Sequence, residues 1–210
     1  MIRVAIADDH AIVRTGLQQF LTDQENITVV GTASSGSEAL QLVRSQPIDV
    51  LIMDISMPGQ SGIDILASLR AHAPTLAILM FSGYPEQHYA TALLRQGVSG
   101  YLNKECEPDE IVAAVRTVAR GKRYISAAVA ELLAEQLNGG GSELPHETLS
   151  ERELQVFLRL ARGETITAIA EVLSLSVKTV STYRTRVLEK LALATNSDIT
   201  YYALKHQLID

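Results

Sequence analysis

The chain is poor in several things, and each shortage excludes something. It has one cysteine, Cys106, in 210 residues, so no intrachain disulfide can form and a reducing compartment fits. No apolar stretch approaches the roughly 20 residues that span a bilayer, so no membrane association is expected. The N-terminus enters a strand pattern directly, with no basic segment leading into an apolar one. No secretory signal is therefore expected, and a cytoplasmic location is. Positive charge is also scarce: 18 Lys and Arg stand against 24 Asp and Glu, for a net charge of −6. The deficit is uneven. Residues 149–210 hold eight basic and seven acidic residues, or +1, and the rest carries −7. That difference points only weakly to a polyanion partner for the C-terminal part.

What is present is a set of short apolar runs that each stop at a polar residue. Ile2–Ala7 runs into Asp8-Asp9, Val50–Met53 into Asp54, Ala77–Phe81 into Ser82, and Tyr101–Asn103 into Lys104. Runs of this length, rich in Val, Ile and Leu, read as strands buried on both faces of a parallel sheet. Ile27–Ala33 fits a further strand. Between the strands, residues 11–21, 37–45, 63–72, 86–95 and 108–120 show apolar residues at helical spacing. The order βαβαβαβαβα predicts a doubly wound, five-stranded parallel sheet with helices on both faces. An Ala- and Leu-rich helix follows over 126–137, then Asn138-Gly139-Gly140-Gly141-Ser142. Three consecutive glycines read as a flexible linker between domains. The predicted division is 1–121, a linker helix and Gly-rich linker over 122–147, and an all-α four-helix domain over 148–210.

In such a sheet a ligand binds outside the carboxyl ends of the strands. Asp8, Asp9, Asp54, Ser82 and Lys104 would converge there. Three carboxylates suit Mg²⁺, which takes hard oxygen ligands. A carboxylate beside that ion can attack phosphorus. Lys104 would neutralise phosphate oxygens, and Ser82 would donate a hydrogen bond to them. Any one Asp at a strand end is equally well a turn former or helix cap. Five polar residues at four strand ends favour a shared site.

The last four helices carry the second signal. Ser150-Glu151-Arg152-Glu153 is a capping box that opens a helix to about Arg162, which Gly163 ends. A short helix over 165–173 and the turn Ser174-Leu175-Ser176 lead to a third over 177–191. A fourth, opened by Asn196 or Ser197, ends near Gln207. Two helices across a three-residue turn form a helix-turn-helix pattern. On the third, Val177, Val180, Arg184, Val187, Leu188 and Leu191 line one mostly apolar face, and hydroxyls and cations fill the rest. Taken alone, this helix fits a DNA reader and an ordinary bundle helix about equally.

Whole motifs carry the argument further. Ala7-Asp8-Asp9-His10, Asp54-Ile55-Ser56-Met57-Pro58-Gly59, Phe81-Ser82-Gly83 and Gly100-Tyr101-Leu102-Asn103-Lys104 resemble the receiver domain of two-component response regulators. Leu149–Glu153, Ile169-Ala170-Glu171, Leu175–Val180 and Arg186–Leu191 resemble the LuxR-type DNA-binding domain. Together they resemble the NarL/FixJ family of response regulators. The resemblance implies a flavodoxin-like receiver whose Asp54 takes a phosphoryl group from a histidine kinase. It implies Mg²⁺ (or Mn²⁺) on Asp9, Asp54 and the Ser56 backbone carbonyl, with Asp8 acting through a water. Ser82 and Tyr101 would be the switch residues.

On the third C-terminal helix, Ser181, Thr182 and Thr185 would face bases. Lys178, Thr179, Tyr183, Arg184, Arg186 and Lys190 would touch the DNA backbone. The last helix, with Ile199, Tyr202 and Ala203, resembles a dimerisation helix, and a two-fold dimer reads palindromic half-sites on double-stranded DNA. Two departures stand out. Glu105 follows Lys104 where the family usually has proline, and small hydroxyls occupy Ser181 and Thr182 where lysine or valine is frequent.

Two other function classes compete. Aspartyl-phosphate phosphatases share the nucleophilic Asp, Mg²⁺ and Lys but need a second Asp two residues later, where this chain has Ser56. No enzyme activity is expected beyond loss of the chain's own phosphate. A receiver that only dimerises, without phosphorylation, would not need the full set Asp8, Asp9, Asp54, Ser82 and Lys104.

Overall fold

In the computed structural model of the chain the apolar runs become five strands. Residues 1–57, 62–83, 86–137, 145–206 and 208–209 are described. The glycine linker, Pro58-Gly59 and Tyr84 lie outside them. The chain forms two compact units, Met1–Ala134 and Glu135–Asp210. Among the described residues no helix is long and apolar enough to cross a membrane.

The first unit alternates β1 (Ile2–Ala7), α1 (Ala11–Thr22), β2 (Ile27–Ala33), α2 (Gly36–Ser45), β3 (Val50–Met53), α3 (Gly62–His72), β4 (Ala77–Ser82), α4 (Glu86–Arg95), β5 (Gly100–Asn103) and α5 (Pro108–Val118). All pairings are parallel, in the order β2-β1-β3-β4-β5. Strand side chains alternate between faces. Val4, Ile6, Val50, Ile52, Leu79, Phe81 and Leu102 therefore share one core with Leu17 and Leu21 of α1 and Ile111, Val115 and Val118 of α5. The intervening residues, among them Leu51, Met53, Ile78, Met80 and Tyr101, are buried on the other face, which α2, α3 and α4 cover. Burying each such side chain is worth about 1.5–3 kcal/mol. The chain winds outward in opposite directions from β1 and β3. This switch point leaves a crevice beyond their carboxyl ends.

Several element ends differ from the sequence reading. α5 stops at Val118, because the chain turns over Ala119–Gly121 with Gly121 at φ +75. It then returns along β5, where Tyr124 N donates to Ser99 O at 2.8 Å. A Cβ on Gly100 would lie 2.9 Å from Tyr124 Cβ and carbonyl oxygen, so only glycine fits that contact. Ser126 precedes α6 (Ala127–Leu137) as its cap, accepts from Val129 N and donates to Glu86.

The second unit opens with a 3-10 turn, Pro145–Thr148, followed by α7 (Glu151–Ala161), α8 (Ile166–Val172), α9 (Val177–Lys190) and α10 (Asn196–Lys205). The capping box forms: Glu153 N donates to Ser150 Oγ and Ser150 N to Glu153 Oε2. Thr165, Ser176 and Thr195 cap α8, α9 and α10, so two of these helices start one residue beyond a threonine that satisfies a free N–H. Each cap is worth about 0.5–2 kcal/mol. Phe157, Ile169, Val180, Val187, Ile199 and Ala203 are buried in this unit.

Candidate functional site

Backbone hydrogen bonds between neighbouring strands fix the carboxyl edge of the sheet. Asp8 N donates to Ala33 O at 3.1 Å, Asp54 N to Ala7 O at 2.8 Å, and Lys104 N to Ser82 O at 2.8 Å. Each candidate residue thus leaves the sheet at a pinned position, and the side chains converge. Lys104 Nζ sits 2.7 Å from Asp8 Oδ2 and 2.8 Å from Asp54 Oδ2. Asp8 and Asp54 are buried, and Ser82 is fully buried. Ser56 N donates to Asp54 Oδ1 at 3.3 Å. Tyr101 is buried on the same side of the sheet as Met80.

Burial drives the electrostatics. It pushes the Asp54 carboxyl up to about 6, against the opposing pull of Lys104, and the neighbouring Asp8 charge adds to the rise. Burial also pulls the Lys104 ammonium down. Asp54 and Asp8 outweigh it, so Lys104 is held above its ordinary value.

Donor atoms of Asp8, Asp9, His10 and Asp54 all lie within 4.8 Å of one another. Asp8 Oδ2 accepts no well-directed hydrogen bond even with Lys104 beside it. Hard oxygens at this spacing fit a divalent cation. His10 touches both neighbouring carboxylates. Its backbone N–H donates to Asp8 Oδ1 at 2.8 Å, and its Nδ1 lies 2.9 Å from Asp9 Oδ1. Arg14 fixes the same loop by donating to Asp8 O at 2.6 Å. Gly62 at the start of α3 passes so close that a Cβ there would meet Asp54 O at 2.2 Å. Burial and the Glu110 charge push the half-buried Cys106 thiol up to about 11, which disfavours its thiolate.

On the second unit, α9 buries Val180 and Val187 and exposes Lys178, Thr182, Thr185 and Arg186. Ser181 and Tyr183 are half-buried, as is Thr179, whose Oγ1 lies 2.7 Å from Ser176 Oγ at the cap. Two candidate cations are engaged within the domain. Arg184 Nε donates to Asn196 Oδ1 at 2.6 Å, and Lys190 Nζ donates to Glu153 Oε2 at 2.6 Å and to Thr148 O at 3.1 Å.

The model for response regulator receiver domains matches residues 4–116, and that for bacterial regulatory proteins of the luxR family matches residues 147–203. The chain is 37% identical to response regulator UvrY of Escherichia coli K12 over 99% of this chain and 96% of that protein. It is 39% identical to oxygen regulatory protein NreC of Staphylococcus carnosus over the full length of both. The chain belongs to the NarL/FixJ family of response regulators. Its structure resembles that of RcsB from Salmonella enterica serovar Typhimurium, solved bound to promoter rprA with the phosphomimetic BeF3⁻ (TM-score 0.67, 26% identity, 96% of this chain and 97% of that one).

Placed on this regulator, the sequence reading needs two corrections. Ile199 and Ala203 are fully buried in the helical domain's own core, so they offer no dimer surface. Tyr202 packs inward against Phe157, His146 and His206. The outward face of α10 is Tyr201, 70% exposed, and Leu204, 50% exposed. Val177, assigned to the buried stripe, is 48% exposed, because it begins α9 beyond the end of the core. Sequence reasoning also passed over Asn103. Its Oδ1 accepts from Glu105 N at 2.8 Å and shapes the turn after Lys104, a signal carried by the Asn-x-Glu spacing.

Proposed function

We propose that Asp54 accepts a phosphoryl group from the phosphohistidine of a sensor kinase and that this controls promoter binding by the helical domain. A carboxylate oxygen of Asp54 attacks phosphorus in line, the P–O bond forms as the P–N bond breaks, and the imidazole leaves. The observation that carries this reading is Lys104, whose ammonium bridges Asp8 and Asp54 at 2.7 and 2.8 Å, where charge on a transferred phosphoryl would collect. Asp9, Asp54 and the Ser56 carbonyl would hold Mg²⁺ or Mn²⁺, with Asp8 acting through a water. The cation would supply charge neutralisation at the phosphoryl oxygens. Ser82 donates to the phosphoryl group, Tyr101 responds to it, and the surface of α4 and α5 changes. The chain acts on no substrate beyond its own phosphate.

The phosphorylated protein is a homodimer in the cytoplasm. It binds palindromic half-sites with the exposed face of α9, where Lys178 and Arg186 contact phosphates. The working division is a receiver over 1–121, a linker over 122–147 and a DNA-binding domain over 148–210. Treatment with acetyl phosphate is expected to retard the wild type, but not Asp54→Ala, on a phosphate-affinity gel, and to strengthen promoter binding. Equal DNA affinity and oligomeric state for treated wild type and Asp54→Ala would overturn the proposal.

A further inference from the structure

Resting on the cation set proposed above, we infer that Arg14 is its positioning residue: it clamps the Asp8–Asp9 peptide so that the Asp9 carboxylate faces the ion. The three carboxylates are not held alike. Asp8 N donates to Ala33 O at 3.1 Å and Asp54 N to Ala7 O at 2.8 Å, so the ends of the sheet pin both, and both are buried. Asp9 lies beyond the end of β1 and is exposed. Its N–H donates to no acceptor among the described residues. The sheet therefore does not set the direction of Asp9.

The peptide before it does. A peptide group is planar, so Asp8 O, Asp9 N and Asp9 Cα belong to one rigid plate. With Asp8 held by its own N–H, that plate can swing only about the Asp8 Cα–C bond. Arg14 Nη1 donates to Asp8 O at 2.6 Å and stops the rotation. Among the described residues this is the only hydrogen bond the plate makes. The bond from His10 N–H to Asp8 Oδ1 at 2.8 Å turns the chain after Asp9 but touches no atom of the plate. Arg14 is itself well placed. It is half-buried on α1, where its N–H donates to His10 O at 3.1 Å. The Glu38 carboxylate of α2, which accepts from Ser34 N at 2.7 Å, lies within reach of its charge. A guanidinium beside a cation site is an electrostatic liability, since like charges repel. Here the donated bond goes to the main chain, which leaves the carboxylate oxygens to the ion. Partners that orient metal ligands without touching the metal are worth about 10–100-fold in affinity.

The liability and the positioning role have opposite signs, and the test reads that sign. Mn²⁺, whose sharp solution EPR signal broadens as the ion binds, is titrated into the full-length wild type, Arg14→Met and Arg14→Lys. Arg14→Met keeps an unbranched stem and loses both donor and charge. Loss of the charge alone would tighten Mn²⁺ binding, whereas loss of the clamp is expected to weaken it about tenfold or more. Arg14→Lys keeps a donor and the repelling charge, and is expected to bind Mn²⁺ more tightly than Arg14→Met. The Mg²⁺ concentration that half-saturates acetyl phosphate labelling is expected to rise with the Mn²⁺ dissociation constant, and excess Mg²⁺ to recover the rate in Arg14→Met. Mn²⁺ binding by Arg14→Met as tight as wild type or tighter, or labelling that stays slow at every Mg²⁺ concentration, would overturn this inference and leave the cation set standing. A wild type that binds no Mn²⁺ would overturn both.

Discussion

Neutralising Asp54 should make the receiver more stable. Asp54 is buried, and its carboxyl sits at about 6 against an ordinary 3.8, with burial the largest cause and Lys104 opposing it. The raised value means that the folded state holds its proton more tightly than the unfolded chain. Below about pH 4 both states are protonated and Asp54 costs nothing. From there to about pH 6 the unfolded chain ionises first, and a penalty against folding grows. Above pH 6 the penalty is complete, at about two pH units or about 3 kcal/mol. Asp54→Asn keeps the shape and removes the charge. At pH 7 without divalent cations, its core strand amides should exchange with deuterium more slowly than those of the wild type, by up to that free energy. The gap should close toward pH 4. Mg²⁺ added at pH 7 should narrow it by stabilising only the wild type. An Asp54→Asn protein no more stable than wild type at pH 7, or a gap unchanged from pH 7 to pH 4, would refute the assignment of the cost to the buried charge.

Three further perturbations probe the same framework. Lys104→Met removes the cation between two buried carboxylates. It should destabilise the metal-free receiver by about 3 kcal/mol at pH 7 and by less at pH 4, and unchanged exchange rates would count against the bridge. Gly62→Ala places a Cβ where Asp54 O lies 2.2 Å away, so the Asp54 loop must move. Labelling by acetyl phosphate should slow by about tenfold or more, and a wild-type rate would mean that the loop yields without displacing Asp54. Burial raises the Glu153 carboxyl, but Lys190 and Ser150 outweigh it and hold it below its ordinary 4.5. Its stabilisation is thus present above that value and lost as pH falls through the lowered one. Glu153→Gln should cost the helical domain about 1–2 kcal/mol at pH 7 and progressively less as pH falls below 4.5, read by exchange in α7 and α9.

Most of the sheet was legible because its strands are buried on both faces and bounded by turn residues, so composition and length alone mark them. The strand-end residues were legible for the same reason: where an apolar run stops, a side chain leaves the sheet at a known edge. What stayed hidden depends on three-dimensional neighbours. Thr165, which caps α8, looks like a helical residue, and Thr195, which caps α10, looks like part of the preceding loop, until the N–H each satisfies is known. Val177 has the spacing of a core residue, yet the core ends one turn before it. Ile199 and Ala203 lie on the inner face of α10, since helical periodicity shows which residues share a face and not which face meets the domain's own core. Arg184 and Lys190 read as free cations because their partners, Asn196 and Glu153, are 12 and 37 positions away.

Lys104 shows how a local departure from a family pattern can be absorbed. Without proline at 105 there is no fixed φ after the lysine, and the Lys104–Glu105 peptide is trans. The turn is built from hydrogen bonds instead. Lys104 N is held by Ser82 O, Asn103 Oδ1 takes Glu105 N at 2.8 Å, and Asn103 O takes Cys106 N at 3.0 Å. An asparagine that accepts two residues on closes a turn that a proline would otherwise preset. The two devices differ in rigidity. A proline restrains the unfolded chain as well, whereas hydrogen bonds hold the turn only while the strand ends are in place. Lys104 therefore reaches Asp8 and Asp54 because β4 and β5 are paired in register at Ser82 and Asn103. That makes its position responsive to anything that moves the end of β4, which is where Ser82 would meet a phosphoryl group.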